Sequence, residues 1–170
     1  SLLTTRRLVR LPRSDIGKSI AHIGFGLMIF GISAVSAWEV EDIRVVGLNE
    51  PYTVQNYTIE LTEVSEKAVL NYVTRKGFIQ VKKDETVLAT LFPEKRYYPV
   101  EGMATTEAAI DSNIFRDIYV VLGDSQSNNN WVLRTYIKPF VVWIWIGAFV
   151  IAFGGILSLT DRRYRLASLK

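Results

Sequence analysis

The chain of 170 residues contains no cysteine and only one histidine, His22. Without cysteine, the chain cannot form disulfide bonds, thiolate nucleophiles, iron–sulfur clusters or cysteine-based zinc sites of its own. With one histidine, a metal ion bound by His22 would take its opposite ligand from elsewhere. His22 itself lies in a run that contains no other ionisable side chain before Glu39.

Charged residues are absent from two long segments, 19–38 and 139–160. At about 1.5 Å per residue, a helix of either length crosses the ~30 Å hydrocarbon core of a bilayer. The first segment has the basic flank and small closing residues of a secretory signal, but its length and the second segment disfavour one. A buried hairpin of a soluble protein fits poorly, because charges flank both segments. The sequence predicts two transmembrane helices.

The charged residues are unevenly distributed: the two ends of the chain are basic, and the middle segment is acidic. Residues 1–18 and 161–170 carry nine basic and two acidic residues, a net charge of +7, whereas residues 39–138 carry eleven basic and 15 acidic residues, a net charge of −4. Because basic flanks stay on the cytoplasmic side, we expect cytoplasmic segments 1–18 and 161–170 and an extracytoplasmic segment 39–138. The basic residues flank a membrane instead of forming one basic surface, so no nucleic-acid partner is expected.

The middle segment is predicted to be β-rich. Its strand-like runs alternate apolar and polar residues: "TVQNYTIEL", "FIQVKK", "TVLATLF", "DIYVVLG" and "WVLRTYI". Between them lie stretches suited to turns or loops: "GLNEP", "KKDE", "FPEKRYYP" and "GDSQSNNN". In "TTEAAID", Thr105 or Thr106 is expected to cap a short helical turn through Glu107 to Ile110. The predicted fold class is a membrane α-helical hairpin with an inserted small β-rich extracytoplasmic domain, either a sandwich or a partly open barrel.

Small residues follow one stripe of the first predicted span and recur in the second. Gly17, Gly24 and Gly31 recur every seven residues, and the second span contains Gly147, Ala148, Ala152, Gly154 and Gly155. Small residues let helix backbones approach closely in lipid, so we expect both spans to pack against other helices.

His22 has two interpretations from its position alone. An ionisable group inside a membrane is a functional candidate, and neutral imidazole is a common haem-iron ligand, with Gly26 one turn away leaving a flat face for a macrocycle. Alternatively, His22 hydrogen-bonds to a neighbouring helix or extends toward the nearby interface.

Two polar clusters in the middle segment are weaker candidates. In "FPEKRYYP", Lys95 and Arg96 could face a haem propionate or a partner loop, or simply bound a strand as solvated charges. The stretch "TTEAAIDSNIFRDIY" contains Glu107, Asp111, Arg116 and Asp117 without an accompanying nucleophile or metal cluster, which favours structural ion pairs over acid–base catalysis. Trp143 and Trp145 are typical of an outer interfacial belt.

Several blocks in order resemble the C-terminal part of the CcmF-type cytochrome c haem lyases. The blocks are "AHIGFG", "AWEVED", "PEKRYYP", "TTEAAID", "FRDIYVVLGD", "WVLRTYIKPFVVWIW" and "GGILSLTDRRYR". The resemblance implies a multi-pass protein of the bacterial inner membrane, or of the mitochondrial inner membrane, that acts in cytochrome c maturation. It also implies a b-type haem ligated by two transmembrane histidines, of which His22 matches the second.

The resemblance further implies partners: the remainder of the haem lyase, a haem-chaperone protein, apocytochrome c with its thiol-reducing or presenting proteins, and quinol as electron donor. The family's Trp-rich haem-handling motif and its other histidines have no counterpart in this chain. The chain alone therefore cannot complete the lyase site, and it could be a fragment, a split subunit or a truncated copy. The alternative function is a non-redox, membrane-anchored β-domain that acts as an assembly or scaffold subunit.

Overall fold

A computed structural model describes residues 12–126 and 129–161 of the chain. It contains two compact units, a helical unit and a β unit formed by Trp38–Pro139. The basic residues predicted to fix the orientation of the termini lie mostly in segments 1–11 and 162–170, outside the described residues.

Over residues 12–37 and 140–161, the helical unit contains α1 (Arg13–Trp38, whose last residue belongs to the β unit) and α2 (Val141–Leu159). Both helices are long and apolar enough to cross a membrane. Helix α1 begins six residues before the predicted span because its first turns also accommodate Asp15 and Lys18, which form an exposed ion pair of 3.4 Å. The chain enters α2 through Phe140, which adopts the left-handed backbone conformation with φ of 58°.

The two helices meet through glycine backbones. A Cβ atom placed on Gly24 would lie 2.7 Å from the carbonyl oxygen of Gly147, and one on Gly147 would lie 2.6 Å from that of Gly24. Gly17 and Gly154 form an equivalent contact one repeat away, where a Cβ on Gly154 would lie 2.6 Å from the Gly17 oxygen. The predicted glycine stripe of α1 is therefore confirmed as a packing face.

For α2 the expectation is confirmed at two glycines and stays a prediction at its other small residues. Gly147 and Gly154 are buried against α1, whereas Ala148, Ala152 and Gly155 are exposed. The physical reason is spacing, because only residues seven apart stay on the narrow face that contacts a straight neighbouring helix.

In its described residues, the β unit contains ten strands. They are β1 (Val40–Val46), β2 (Tyr52–Val54), β3 (Tyr57–Ala68), β4 (Val73–Lys83), β5 (Thr86–Leu91), β6 (Glu94–Tyr98), β7 (Met103–Glu107), β8 (Ala109–Ser112), β9 (Arg116–Ser125) and β10 (Trp131–Pro139). One antiparallel sheet has the order β1-β10-β9-β8, and the second has the order β2-β3-β4-β6-β7, with β5 also paired to β4. The fold is a β-sandwich, one of the two predicted architectures.

The core lies between the inner faces of these sheets. Ile59, Leu61, Ile79, Ile118 and Leu133 are fully buried, and each comes from an alternating position of its strand. This alternation is why the five strand-like runs could be read from the sequence. Across the core, the hydroxyl groups of Tyr52 and Thr135 form a buried hydrogen bond of 2.8 Å that links the two sheets.

The predicted helical turn at residues 107–110 is wrong. Residues Met103–Glu107 and Ala109–Ser112 form strands β7 and β8. Strand β7 pairs with β6 and β8 pairs with β9, so cross-strand pairing overrides the local helix preference of the Glu-Ala-Ala sequence. The stretch predicted as a loop, "FPEKRYYP", is likewise mostly strand β6.

Candidate functional site

The imidazole of His22 has a defined orientation on helix α1. Its Nδ1 atom lies 2.8 Å from the carbonyl oxygen of Lys18, one turn earlier. A carbonyl oxygen can only accept, so Nδ1 carries the proton and donates it. In the neutral ring this bond selects the tautomer whose other nitrogen, Nε2, has a free lone pair, which is the form in which histidine binds a metal.

The surroundings of His22 are open on the side away from α2. His22 is exposed, and a Cβ atom on Gly26 would meet no other atom within 4 Å. Ile29 follows on the same face with 47% of its surface exposed, and Phe30, 41% exposed, lies at the edge of this face, where its ring also contacts Phe140 and Trp143. The result is a flat apolar face beside an imidazole, on the opposite side of α1 from the glycine contacts.

This face can provide one axial nitrogen and an apolar support to a planar macrocycle. In the described part of the chain, no group of three or more His, Cys, Asp or Glu residues is arranged to hold a metal ion. Among those residues the donor set thus fits a single imidazole position of an iron centre that receives its opposite ligand elsewhere. His22 is the one predicted site residue for metal or cofactor, and its role stays a prediction.

Lys95 and Arg96 are both held in ion pairs within the β unit. Arg96 lies 3.0 Å from Glu94 and 3.5 Å from Glu107, and Lys95 is paired with Asp124. Burial would raise the pKa of Glu94, but the hydrogen bond and charge of Arg96 outweigh burial and lower it. Pairing with Lys95 lowers the pKa of Asp124. These contacts favour the structural interpretation of "FPEKRYYP" over an anion site.

The second predicted cluster is divided between two places. Glu107 pairs with Arg96, whereas Asp111 pairs with Arg116 at the β8–β9 hairpin. Asp117 lies on β9 beside Arg116, where its Oδ1 atom is buried without a hydrogen bond in the described structure. No shared site for acid–base chemistry results among these four residues.

Sequence reasoning missed a groove of about 580 Å³ on the outer face of the β1-β10-β9-β8 sheet. The rings of Tyr119 and Tyr136 meet edge to face at 5.7 Å, and the ammonium of Lys138 lies 5.3 Å from the centre of the Tyr136 ring. Alternation in "DIYVV" and "WVLRTYIK" placed these residues on one face, and this signal could have predicted the groove.

The chain is similar to known proteins, and one of the matches covers almost the same residues as the β unit. Residues 37–139 match a family model described as the CcmF C-terminal β-sandwich. The chain is 47% identical over 165 residues to the cytochrome c-type biogenesis protein ccl1 of Rhodobacter capsulatus, covering 97% of this chain and 25% of that protein. It is 41% identical over 157 residues to the cytochrome c-type biogenesis protein CcmF of Haemophilus influenzae, covering 92% of this chain and 24% of that protein.

A solved structure of the cytochrome c haem lyase CcmF is also similar. It matches 88% of this chain and 25% of that chain, with a TM-score of 0.66 and 17% sequence identity, which supports the fold. The chain spans about a quarter of the length of the curated relatives it matches.

Proposed function

Because the chain belongs to the CcmF family and corresponds to its C-terminal part, we propose that it supplies one histidine ligand to a b-type haem in a cytochrome c haem lyase. The relatives are named as cytochrome c biogenesis proteins, and the family gives the proposal its reaction context. The observation that carries the ligand assignment is the hydrogen bond from His22 Nδ1 to the Lys18 carbonyl, which in the neutral ring leaves the Nε2 lone pair available.

The proposed role of the helix is to hold and orient the imidazole. The bond to Lys18 fixes the ring tautomer, and the missing side chain of Gly26 leaves room for a flat ring system beside it. Isoleucine and phenylalanine on the same face would keep water from the iron. When bound, a bis-histidine haem supplies one-electron transfer, in this proposal to reduce haem before its attachment to apocytochrome c.

The proposal includes a membrane location. Helices α1 and α2 cross the inner membrane with the termini in the cytoplasm, and the β unit lies in the bacterial periplasm. The length and apolar composition of both helices support it, as does the basic excess of residues 1–18 and 161–170. The alternative location is the mitochondrial inner membrane.

The proposed partners are the rest of the haem lyase, as the same or a separate chain, a haem-chaperone protein, and apocytochrome c with the proteins that reduce or present it. Quinol is the proposed electron donor. The exposed polar face of the β unit suits it to a structural or docking role outside the membrane, and its described residues include no group of three or more His, Cys, Asp or Glu that could hold a metal ion.

Replacing His22 by alanine tests the assignment. This chain is expressed with the remaining helices of a CcmF protein, and the reduced-minus-oxidised haem spectrum is recorded. His22→Ala removes the axial nitrogen and is expected to abolish the b-type signal or lower it at least about tenfold, whereas the control Ser33→Ala, on the same helix face, keeps it. A wild-type spectrum and redox potential in His22→Ala would reject the ligand role and favour the scaffold function.

A further inference from the structure

A cleft of about 230 Å³ lies at the end of the β unit where the chain leaves α1 and enters α2. Its lining combines rings and aliphatic groups with two amide side chains and one guanidinium: Trp38, Tyr57, Ile137, Gln55, Asn56 and Arg116. Within the described residues, Arg116 is the only charged residue that lines the cleft. Nothing in the haem assignment uses this site.

Arg116 is buried yet retains donor capacity. Only 8% of its surface is exposed. Its Nε donates to the Tyr57 hydroxyl at 3.2 Å, and its Nη1 donates to the Asp111 carbonyl at 2.8 Å and to the Asp111 carboxylate. Its Nη2 donates no hydrogen bond to any residue in 12–126 or 129–161, and it is not among the buried polar atoms that lack a partner, so this donor is accessible from the cleft. An anionic oxygen in the cleft would satisfy this group.

The hairpin that positions Arg116 also presents an apolar tip. The side chain of Asn113 accepts hydrogen bonds from the backbone N–H groups of Phe115 and Arg116 at 2.8 and 3.0 Å, which fixes the turn. Ile114 and Phe115 at the tip are 53% and 65% exposed. Because Arg116 pairs with Pro139 in the sheet, the tip lies at the same end of the domain as the start of α2.

Exposed apolar residues beside an arginine donor are a common arrangement where a protein meets a bilayer surface. The apolar groups enter the acyl boundary, and the guanidinium can bind a phosphate oxygen with paired N–H groups. Trp38 adds a ring of the kind found at headgroup level. The chain connections to both helices would keep this end of the β unit close to the membrane proposed above.

We propose that the Arg116 cleft binds the phosphodiester group of a phospholipid, while Ile114 and Phe115 contact the upper acyl chains. The lipid would then anchor the β unit at the outer surface of the membrane. This inference uses the membrane location in the proposed function but is independent of haem, because its test measures lipid binding by the haem-free chain.

The test is a lipid titration of the full chain in dodecyl maltoside, a detergent without phosphate. Dihexanoyl phosphatidylglycerol is added, and the saturable rise in the thermal unfolding midpoint gives an apparent Kd. Arg116→Gln removes the charged donor and is expected to raise this Kd about tenfold or more. Asn56→Asp places a carboxylate in the cleft at an exposed turn and is expected to weaken binding similarly. The control Asn129→Asp, an exposed change at the opposite end of β10, should leave Kd within about twofold.

Wild-type affinity in both Arg116→Gln and Asn56→Asp would overturn the proposal. If Arg116→Gln fails to fold, Asn56→Asp still decides, because it alters no buried contact. The same titration is repeated with inorganic phosphate in place of the lipid. An equal rise in the unfolding midpoint at the same concentration would identify a site for soluble phosphate and reject the lipid. Loss of lipid affinity in the double variant Ile114→Ser with Phe115→Ser, which keeps Arg116, would support the acyl contact, and unchanged affinity would refute it.

Discussion

The helical unit and the β unit are packed by opposite means. Between α1 and α2 the buried residues are mainly glycines, so backbone meets backbone along the contact, and the Phe30 ring adds contacts with Phe140 and Trp143. Between the two sheets the buried residues are large aliphatic side chains that are fully removed from solvent. The difference matches the surroundings proposed for each unit, because apolar burial gives no gain over lipid, whereas it drives folding in water.

Removing buried side-chain atoms from a strand is expected to destabilise the β unit and not the helical unit. Leu133 is fully buried on β10, the strand between β1 and β9, so Leu133→Ala is expected to cost about 2–5 kcal/mol of unfolding free energy by leaving a cavity. Hydrogen exchange of the full chain should become faster across the strands and stay unchanged in α1 and α2. Val132→Ala, on the outer face of the same strand, is the control and should cost less than about 1 kcal/mol. Comparable losses for both variants would contradict a side-chain core.

Adding one methyl group at Gly24 is expected to destabilise the helical unit and not the β unit. In Gly24→Ala the new Cβ atom would overlap the Gly147 oxygen, and the helices must separate at an expected cost of about 1–3 kcal/mol. Thermal unfolding in dodecyl maltoside, followed by circular dichroism, measures the change. The control is Gly26→Ala, which meets open space on the same helix and should be neutral or slightly stabilising. Equal midpoints for the two variants would argue against glycine-mediated packing.

Low pH is expected to destabilise chiefly the β unit, and this effect should be smaller than that of either substitution above. The folded-state pKa of Glu94 is below its unfolded value, so its pairing with Arg96 and Lys76 adds stability above about pH 4. This contribution is lost as the pH falls through the folded-state pKa. We expect the unfolding midpoint of the strands to fall between pH 6 and pH 3, and to fall less in Glu94→Gln. An identical acid response in the variant would show that other groups dominate.

Patterns with a single physical cause were readable from the sequence. Strands β3, β4, β9 and β10 follow from alternation, since each has one face in the core, and the helices follow from long uncharged segments. The seven-residue glycine stripe identified the contact face of α1. Strand β1 and strands β6 to β8 were missed, because charged and threonine-rich sequences form strands there only through pairing with distant neighbours.

The candidate sites were less predictable because they depend on tertiary register. Nothing in the local sequence indicates that Arg116 lies opposite Pro139 in the sheet or that it forms an ion pair with Asp111. Both contacts follow from the arrangement of β8, β9 and β10. His22 could be identified from its isolation in an apolar helix. The tautomer of its neutral ring, however, depends on a contact with a backbone carbonyl, which the residue types do not reveal.

That backbone contact has an evolutionary consequence. The acceptor for the His22 ring is the carbonyl oxygen of residue 18, which every amino acid provides. Drift at position 18 can therefore exchange lysine for another residue without altering the tautomer of the imidazole. Selection for this orientation acts on the continuity of the helix between residues 18 and 22, and a second polar side chain does not have to be inherited together with the histidine.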